Sequence, residues 1–339
     1  MESIDTPDNV YAYVSNIIQS SRIQLHYEIL NESHIDDILT FVNTNYNDMN
    51  ENATLVYSRE LMEYYLIDSF AMFFYSIKNH NVPIGLIIGK YSNIMSFGKN
   101  IEALDGNFMC VVPQLRKLQL PKLLIAYLIK EGITRNTLPI KIGYYTTSHD
   151  IGKKPFCKKT FIHRLIRYKR KLYSQKFLYP RYFKTFTIRR NIENSEIEDI
   201  TNRLNAYQKE HYDIYEQVSA HTIRNINTSN AFIKFIIIEN ASIRSFVSFY
   251  RLDTLNKNKK ETIRTLYLHY YFSRGNIVHD LDYIAEYLYK NNMCDIFLAQ
   301  MFDDRLPPNY FVGSGTLHYT AWNVKEFTIR EHRVRLCVI

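Results

Sequence analysis

NFMCVVPQLRKLQLPK, residues Asn107–Lys122, is the stretch of this chain that decides its fold. The apolar run up to Val112 is typical of a buried strand. A turn containing Arg116 and Lys117 follows, and Pro121 opens a segment whose apolar spacing predicts a helix. A strand, a basic turn and a helix occur together in many α/β proteins, so the neighbouring segments have to specify which fold this is.

The same order of elements is predicted twice along the chain. Each half reads as a helix, a meander of strands, a second helix and a closing strand. The segments are Ser33–Asn45, Phe70–Ile77, Pro83–Tyr91, Ile101–Val112, Pro121–Thr134 and Ile140–Thr147, then Ser195–Glu210, Phe232–Glu239, Ser242–Leu252, Thr265–Ser273, Asp280–Tyr289 and Cys294–Ala299. We therefore expect a mixed α/β protein of two similar halves, residues 1–190 and 191–339, joined near Arg189–Ser195.

Length and composition exclude several classes of protein. A chain of 339 residues with 46% hydrophobic and 22% charged residues is long enough for two globular domains. No apolar run reaches the roughly 20 residues of a membrane span, and the first residues lack a signal-peptide pattern, so we expect a cytoplasmic protein. Four cysteines show neither metal-ligand nor disulfide spacing, and no metal is expected.

The net charge of +8 is unevenly distributed. Lys153–Arg190 contains 14 Lys or Arg and no Asp or Glu, which leaves −6, the difference between 8 and 14, for the remainder. Such a block suits nucleic acid, an anionic membrane or a phosphorylated cofactor, and a solvated basic face explains it equally well. No nucleic-acid motif accompanies it. A basic-surface binding protein is therefore one alternative function.

The chain ends on a nearly apolar segment, Val334–Ile339. Chain ends are usually solvated unless something holds them, so this pattern predicts that the carboxylate of Ile339 lies inside the fold. Burial would raise its pKa above the usual value of about 3.5 and make it a better proton acceptor. A last strand that only completes a sheet explains the same pattern.

Element order resembles the GNAT type of acyl-CoA-dependent N-acyltransferases, and particular segments resemble the glycylpeptide N-myristoyltransferases. The matches follow one another in the family's order over nearly the whole chain. They are Tyr57–Glu60 with Tyr-Ser-Pro-Glu, Asn107–Val111 with Asn-Phe-Leu-Cys-Val, Phe161–Arg164 with Tyr-Trp-His-Arg, Phe246–Tyr250 with Phe-Leu-Ser-Phe-Tyr, Gly313–Gly315 with Gly-Asp-Gly, and Val334–Ile339 with Val-Gly-Leu-Val-Leu-Gln.

This resemblance implies two GNAT-like halves packed as a pseudo-twofold, saddle-shaped sheet flanked by helices. It implies a monomeric enzyme that moves a myristoyl group from myristoyl-CoA to the α-amine of an N-terminal glycine. The first half would bind myristoyl-CoA, and the second would bind the peptide and supply the terminal carboxylate. Glycine-starting proteins would be the partners, with weak membrane-surface contact and no nucleic acid.

The resemblance also assigns roles to individual residues. The backbone N–H groups of Phe108 and Met109 would stabilise the oxyanion, Asn107 and Thr146 would hold the amine, and Ile339 would accept its proton. Cofactor contacts would come from Tyr46, Phe108, Met109, Val111, Arg116, Lys117, Leu118, Gln119, Leu120, Pro121 and Lys122. Peptide contacts would come from Tyr57, Phe161, His163, Ser248, Tyr267, Ser314 and Leu317.

Three departures from the family pattern predict altered binding. The family's acidic loop and Phe-Arg-Phe-Asp segment are here Asn47–Glu51 and Ala53–Val56, which removes negative charge and aromatic surface facing the peptide. The family's Arg-Ser-Lys-Arg turn is here Arg116–Gln119, with one cation fewer. Ser314 replaces the aspartate of Gly-Asp-Gly, and a neutral hydrogen bond is about half as strong as an ionic one. We expect weaker coenzyme A binding and a looser or shifted peptide preference. A homologue that binds acyl-CoA or glycyl peptides without turnover is a second alternative.

Overall fold

The computed structural model has a mixed α/β fold. It describes residues 1, 3–46, 53–77, 79–116, 118, 120–135, 140–148, 154–167, 186–302 and 311–336, without the side chains at 79–81, 311, 312 and 314. Three residues assigned from the sequence, Lys117, Gln119 and Ile339, therefore lie outside the described residues. Much of the basic block, residues 168–185, does too.

The described part of the chain forms the following elements. The helices are α1 Pro7–Ser20, α2 Ile35–Asn45, α3 Arg59–Leu66, α4 Leu120–Arg135, α5 Ile197–His211, α6 Ala220–Thr228 and α7 Ile277–Lys290. The strands are β1 Leu25–Leu30, β2 Ala53–Val56, β3 Ser69–Ser76, β4 Asn79–Ser96, β5 Lys99–Val111, β6 Ile142–Thr147, β7 Cys157–Leu165, β8 Phe186–Arg189, β9 Ile214–Glu216, β10 Phe232–Glu239, β11 Ser242–Arg251, β12 Asp253–Asn256, β13 Glu261–Ile263, β14 Thr265–Ser273, β15 Ile296–Gln300, β16 Phe311–Trp322 and β17 Val334–Arg335. Among these helices, none is long and apolar enough to cross a membrane.

The mixed α/β class expected from the sequence is confirmed. Strands β10 and β14 have the predicted bounds, and helix α7 begins three residues before the predicted Asp280. Its start is set by Asn276, whose side chain accepts hydrogen bonds from the N–H groups of Val278 and His279. Sequence patterns did not locate α1, α6, the three- and four-residue strands or the longer strands β1, β7 and β16.

The chain divides into two compact units, each built from three separate segments of the sequence. The first contains Met1–Glu51, Tyr57–Lys158 and His318–Ile329, and the second contains Asn52–Val56, Lys159–Leu317 and Arg330–Ile339. The sequence had predicted two consecutive halves with a joint near residue 190. In the structure the second unit already begins at Lys159, and β16 begins in the second unit and ends in the first.

The first unit contains strands in the order β1, β3, β4, β5 and β6, with the end of β16 on β6. Only the β5–β6 pair in this series is parallel, and α4 makes the crossover between them. Helix α4 packs on α1 through four buried side chains, Val10, Val14, Ala126 and Ile129. Where β16 meets β6, Trp322 lies directly over Gly143, at which an added Cβ would stand 1.7 Å from the indole nitrogen.

The second unit repeats this plan. Its strands follow the order β7, β15, β14, β11, β10 and β8, and the β14–β15 pair is parallel with α7 as its crossover. Helix α7 buries an apolar face against the sheet, including Leu281, Ile284 and Leu288 against Phe235 and Phe297. Strands β9 and β17 pair with each other in parallel. Strands β2, β12 and β13 form a small separate sheet.

Candidate active site

Strands β5 and β6 separate in the middle of the first unit. Their parallel ladder runs from Ala103–Ile142 to Gly106–Tyr145, and no later pair is present among the described residues. Asn107 and Thr146 are therefore the first residues beyond the separation, one on each strand. The two residues assigned to the amine thus stand at the mouth of the same opening.

Strand β5 also bulges at this point. On the β4 side the register passes from Ile88–Asn107 to Leu86–Cys110, so Phe108 and Met109 both stand opposite one residue of β4. Phe108 has a φ of 50°, in the left-handed region that bulky residues avoid. This conformation costs about 1–2 kcal/mol. It rotates the backbone N–H groups of the bulge away from a regular ladder.

Three tyrosine rings hold the buried Phe108 ring in this conformation. The rings of Tyr46, Tyr57 and Tyr65 lie at centroid distances of 5.6, 5.1 and 4.9 Å from it. Each such contact contributes about 0.5–1.5 kcal/mol beyond area burial, which together offsets the backbone strain. Burial raises the pKa of Tyr46 to about 12 and that of Tyr65 further above its usual range, so both are neutral hydroxyls near neutral pH.

Polar groups behind the bulge are buried and bonded to one another. The N–H of Phe108 donates to Asn107 Oδ1 at 2.9 Å. The Tyr65 hydroxyl donates to Asp105 Oδ2 at 3.4 Å and hydrogen-bonds the Asn107 side chain. Sequence reasoning had not selected Tyr65 or Asp105. An acid two residues before Asn107 on a buried strand was a usable signal, whereas nothing in the sequence near Tyr65 indicated this contact.

The Arg116 guanidinium donates hydrogen bonds to two backbone carbonyls. Its Nη2 donates to the carbonyl of Asn45 at 2.6 Å and its Nε to the carbonyl of Val111 at 3.2 Å. These contacts join the end of α2 to the end of β5 and shape the turn before α4. Lys122, in the first turn of α4, is exposed, and no acidic residue lies in that turn. The start of α4 is thus electropositive.

Two further residues of this assignment differ in exposure. Leu120, the first residue of α4, is buried in the core, whereas Leu118 is exposed. Burial raises the pKa of the Cys110 thiol to about 12, so this cysteine is not a thiolate nucleophile.

The second unit contains a similar separation and bulge. Its parallel ladder ends at Tyr267–Leu298, and His269 and Tyr270 of β14 both stand opposite Ser248. The buried Ser248 hydroxyl accepts the N–H of Tyr270 at 3.0 Å, so this serine replaces a missing ladder contact. The Tyr267 ring stacks on Tyr250 at 5.1 Å, and burial raises its pKa to about 12.

The start of α7 differs from the start of α4. Asn276 already accepts its first N–H groups, and the first turn contains the fully buried Asp280. That carboxylate accepts from Ser245, Ser273 and the Arg244 guanidinium, whose Nε lies 3.1 Å away. The first N–H groups of α7 therefore have hydrogen-bond acceptors within the protein, whereas the first turn of α4 contains the cationic side chain of Lys122.

Two peptide-assigned residues lie beside the glycines of β16 in the second unit. A Cβ added to Gly313 would stand 3.0 Å from the Phe161 carbonyl and 3.6 Å from His163 Nδ1, and one added to Gly315 would stand 3.3 Å from the Phe161 ring. The two glycines allow β16 to approach β7 this closely. Burial lowers the pKa of His163. Ser314 lies between the glycines and Leu317 follows on the same strand.

The segment before the carboxyl terminus is attached at several points. The buried ammonium of Lys159 donates to the Val334 carbonyl at 2.5 Å, and the Thr160 N–H donates to Glu331 at 2.8 Å. Arg333 donates to Asp213, and β17 pairs with β9. Leu336 is fully buried, so this segment is anchored in the core.

Comparison with known proteins finds a family match for part of the chain and several similar structures. Residues 2–154 match the family model of the N-terminal domain of Myristoyl-CoA:protein N-myristoyltransferase. No curated protein sequence matches the chain. A solved structure of Saccharomyces cerevisiae N-myristoyltransferase with bound myristoyl-CoA is similar, with a TM-score of 0.76 and 18% identity over 96% of this chain and 83% of the yeast chain.

More distant structures share the fold. A probable N-acyltransferase from Enterococcus faecalis V583 aligns with a TM-score of 0.52 at 12% identity, covering 88% of this chain and 72% of its own. A GCN5-related N-acetyltransferase from Kribbella flavida aligns with a TM-score of 0.53 at 8% identity, covering 88% of this chain and 71% of its own.

Proposed function

We propose that this chain transfers a myristoyl group from myristoyl-CoA to an N-terminal glycine, because residues 2–154 match the family model of the N-myristoyltransferase N-terminal domain. The observation that carries this proposal is the strand separation after Gly106–Tyr145, with the bulge at Phe108 beside it. A thioester needs an opening in which backbone donors are not used by a sheet. The separation provides that opening.

The backbone N–H groups of Phe108 and Met109 would donate to the thioester oxygen as it gains negative charge. Donors fixed in advance are effective because they need not reorganise during the reaction, and losing one costs about 3 kcal/mol in related chemistry. Asn107 Oδ1, which accepts from the Phe108 N–H, would be replaced there by the substrate oxygen. Asn107 and Thr146 would then orient the glycine amine across the opening.

The amine must lose a proton before it attacks. We assign this step to the carboxylate of Ile339, supported by the hydrogen-bonded segment Glu331–Leu336 that precedes it, of which Val334, Arg335 and Leu336 are buried. The carboxylate takes a proton from the glycine ammonium, and the amine forms a bond to the thioester carbon. The C–S bond of the resulting tetrahedral adduct breaks, and coenzyme A leaves as a thiol with the amine's second proton.

The phosphates of coenzyme A would bind at the N-terminus of α4, where Lys122 adds a positive charge. Arg116 would contribute by holding the turn in place, since its guanidinium donates to two backbone carbonyls. Lys117, Leu118, Gln119 and Pro121 belong to the same proposed surface. With one cation fewer than the family's Arg-Ser-Lys-Arg turn, this site would bind coenzyme A more weakly.

The glycine-starting peptide would contact both β7 and β16 of the second unit through Phe161, His163, Ser314 and Leu317, with Tyr57, Ser248 and Tyr267 as further contacts. Ser314 lacks the charge to select a basic residue downstream of the glycine. We therefore propose a broad or shifted preference at that peptide position. A monomeric, cytoplasmic enzyme is part of the same proposal.

Intact-mass analysis tests the reaction directly. Mixed with myristoyl-CoA, the protein is expected to add a myristoyl mass to a Gly-starting peptide and none to an Ala-starting one. Deletion of the last three residues should abolish the gain while the circular dichroism spectrum stays unchanged. A parallel series of Gly peptides with Lys, Asp or neutral residues downstream should react at similar rates, and a strong preference for Lys would contradict the role given to Ser314.

Other results would identify an alternative function. Acyl-CoA binding without any mass gain would indicate a non-catalytic homologue. Tight, steeply salt-dependent binding of DNA or RNA would favour a basic-surface binding protein that uses Lys153–Arg190.

A further inference from the structure

Tyr65 makes three separate contacts with the separated strand. Its ring edge meets the ring of Phe108 at 4.9 Å, its hydroxyl donates to Asp105, and the same hydroxyl hydrogen-bonds the side chain of Asn107. Tyr65 lies on α3, 40 residues before Asp105 in the chain. A residue of another element thereby contacts the bulge at Phe108 and the strand just before it.

The hydrogen bonds of this group form one continuous series. The Phe108 N–H donates to Asn107 Oδ1, which leaves the Asn107 amide nitrogen to donate to the Tyr65 hydroxyl. The Tyr65 hydroxyl proton then points to Asp105. This order fixes which way the Asn107 amide faces, because its oxygen and its nitrogen each have one appropriate partner.

These hydrogen bonds are buried, and a buried polar group without a hydrogen-bond partner is unfavourable. Tyr65, Asp105, Asn107 and Phe108 are 2%, 4%, 6% and 1% exposed. A hydroxyl between an amide and a carboxylate in such a place is unfavourable unless all three are paired, and paired groups polarise one another. A phenylalanine would fill the same volume without these constraints, so the hydroxyl has a role beyond packing.

Lys90 supports the position of Tyr65. It is the direct cross-strand partner of Asp105, and its ammonium lies 5.1 Å from the ring centre of Tyr64 and 5.2 Å from that of Tyr65. Directly opposed residues share one face of an antiparallel pair. The cation therefore lies on the same face as the Asp105 carboxylate and holds the Tyr65 ring against turning.

We propose that Tyr65 is a positioning residue that orients the Asn107 amide and, through it, the Phe108 N–H at the oxyanion site. The inference rests on the proposed acyl transfer for its catalytic consequence, but the orientation itself does not depend on turnover. Tyr65 touches neither reacting group in this account. It sets where the groups that do so point before substrate arrives.

A single NMR signal reports on this orientation. Asn107–Phe108 is the only Asn-Phe pair in the sequence, so labelling with 13C-carbonyl asparagine and 15N-phenylalanine yields one carbonyl-correlated amide peak, that of Phe108. In Tyr65→Phe the amide proton is expected to move upfield and exchange faster, since its acceptor is no longer held. In Tyr91→Phe, which removes a hydroxyl bonded to the Gly132 carbonyl on another face, the peak should not move.

Kinetics provide the second test. Tyr65→Phe is expected to lower kcat about tenfold, the effect of one lost hydrogen bond, with KM for myristoyl-CoA unchanged. In an Asn107→Ala background the same substitution should have no further effect, because Tyr65 acts through Asn107. A merely structural tyrosine would change melting temperature and KM together.

The outcomes separate the two proposals. An unshifted Phe108 peak, or equal kcat losses with and without Asn107, would overturn the role of Tyr65. A wild-type protein that transfers no acyl group would refute the proposed function alone, because the Phe108 signal is measured without turnover.

Discussion

Asn107 and Phe108 show what one residue type can and cannot reveal. An asparagine within a buried strand is a plausible polar contact, and this much was accessible from the sequence. Nothing about a phenylalanine indicates a positive φ, which arises here only because three tyrosine rings from other elements surround it. The oxyanion donors were therefore assigned through family resemblance, while their strain and their present acceptor required the structure.

His163 provides a prediction at the same scale. Burial lowers its pKa below the usual value of about 6.5, so the folded protein takes up this proton less readily than the unfolded chain. Stability contributed by the neutral ring is thus present above about pH 6.5 and decreases as the pH falls towards the folded pKa. His163→Phe should make the urea midpoint less sensitive to pH between 7 and 5. The exposed His221 offers a matched His221→Phe control, and equal pH sensitivity in wild type and His163→Phe would contradict the assignment.

At the scale of elements, sequence patterns were most successful for strands that are apolar throughout, and they missed the long strands β7 and β16. Strands β10 and β14 place apolar side chains on both faces, and such runs are recognisable without knowing their partners. The two-residue strand β17 exists because β9, about 120 residues earlier, pairs with it. Helix α1 mixes β-branched and polar residues and is held by α4, so its own pattern was weak. Local signals cannot report such distant partners.

A charge reversal at the N-terminus of α4 is expected to have opposite effects on stability and on coenzyme A binding. Lys122→Glu places a negative charge at the positive end of the helix dipole and should stabilise the fold by about 0.5 kcal/mol. The same change should weaken coenzyme A binding about tenfold or more, because one charge-assisted contact to phosphate becomes a repulsion. Thermal unfolding and titration calorimetry measure the two effects, with Lys122→Gln intermediate in both. Unchanged coenzyme A affinity would place the phosphates elsewhere.

At the scale of the whole molecule, the two units have similar folds, but we expect only the first to bind coenzyme A. Both contain a parallel pair that separates beside a bulge, yet only α4 begins with a cation and without an acid in its first turn. Titration with coenzyme A is therefore expected to give one site per chain. A value of two would mean that α7, despite Asn276 and Asp280, also binds phosphate.

Strand β16, which starts in one unit and finishes in the other, determines how this protein can be dissected. Residue 190 is the domain boundary predicted from the sequence, but a recombinant fragment that stops there lacks His318–Trp322. Without those residues β6 loses its antiparallel neighbour, and its backbone groups form an uncovered edge next to the bare Gly143. Open edges of this kind recruit other strands and promote aggregation. An expression strategy should therefore retain the full chain, or supply residues 318–329 as a synthetic peptide to cover that edge.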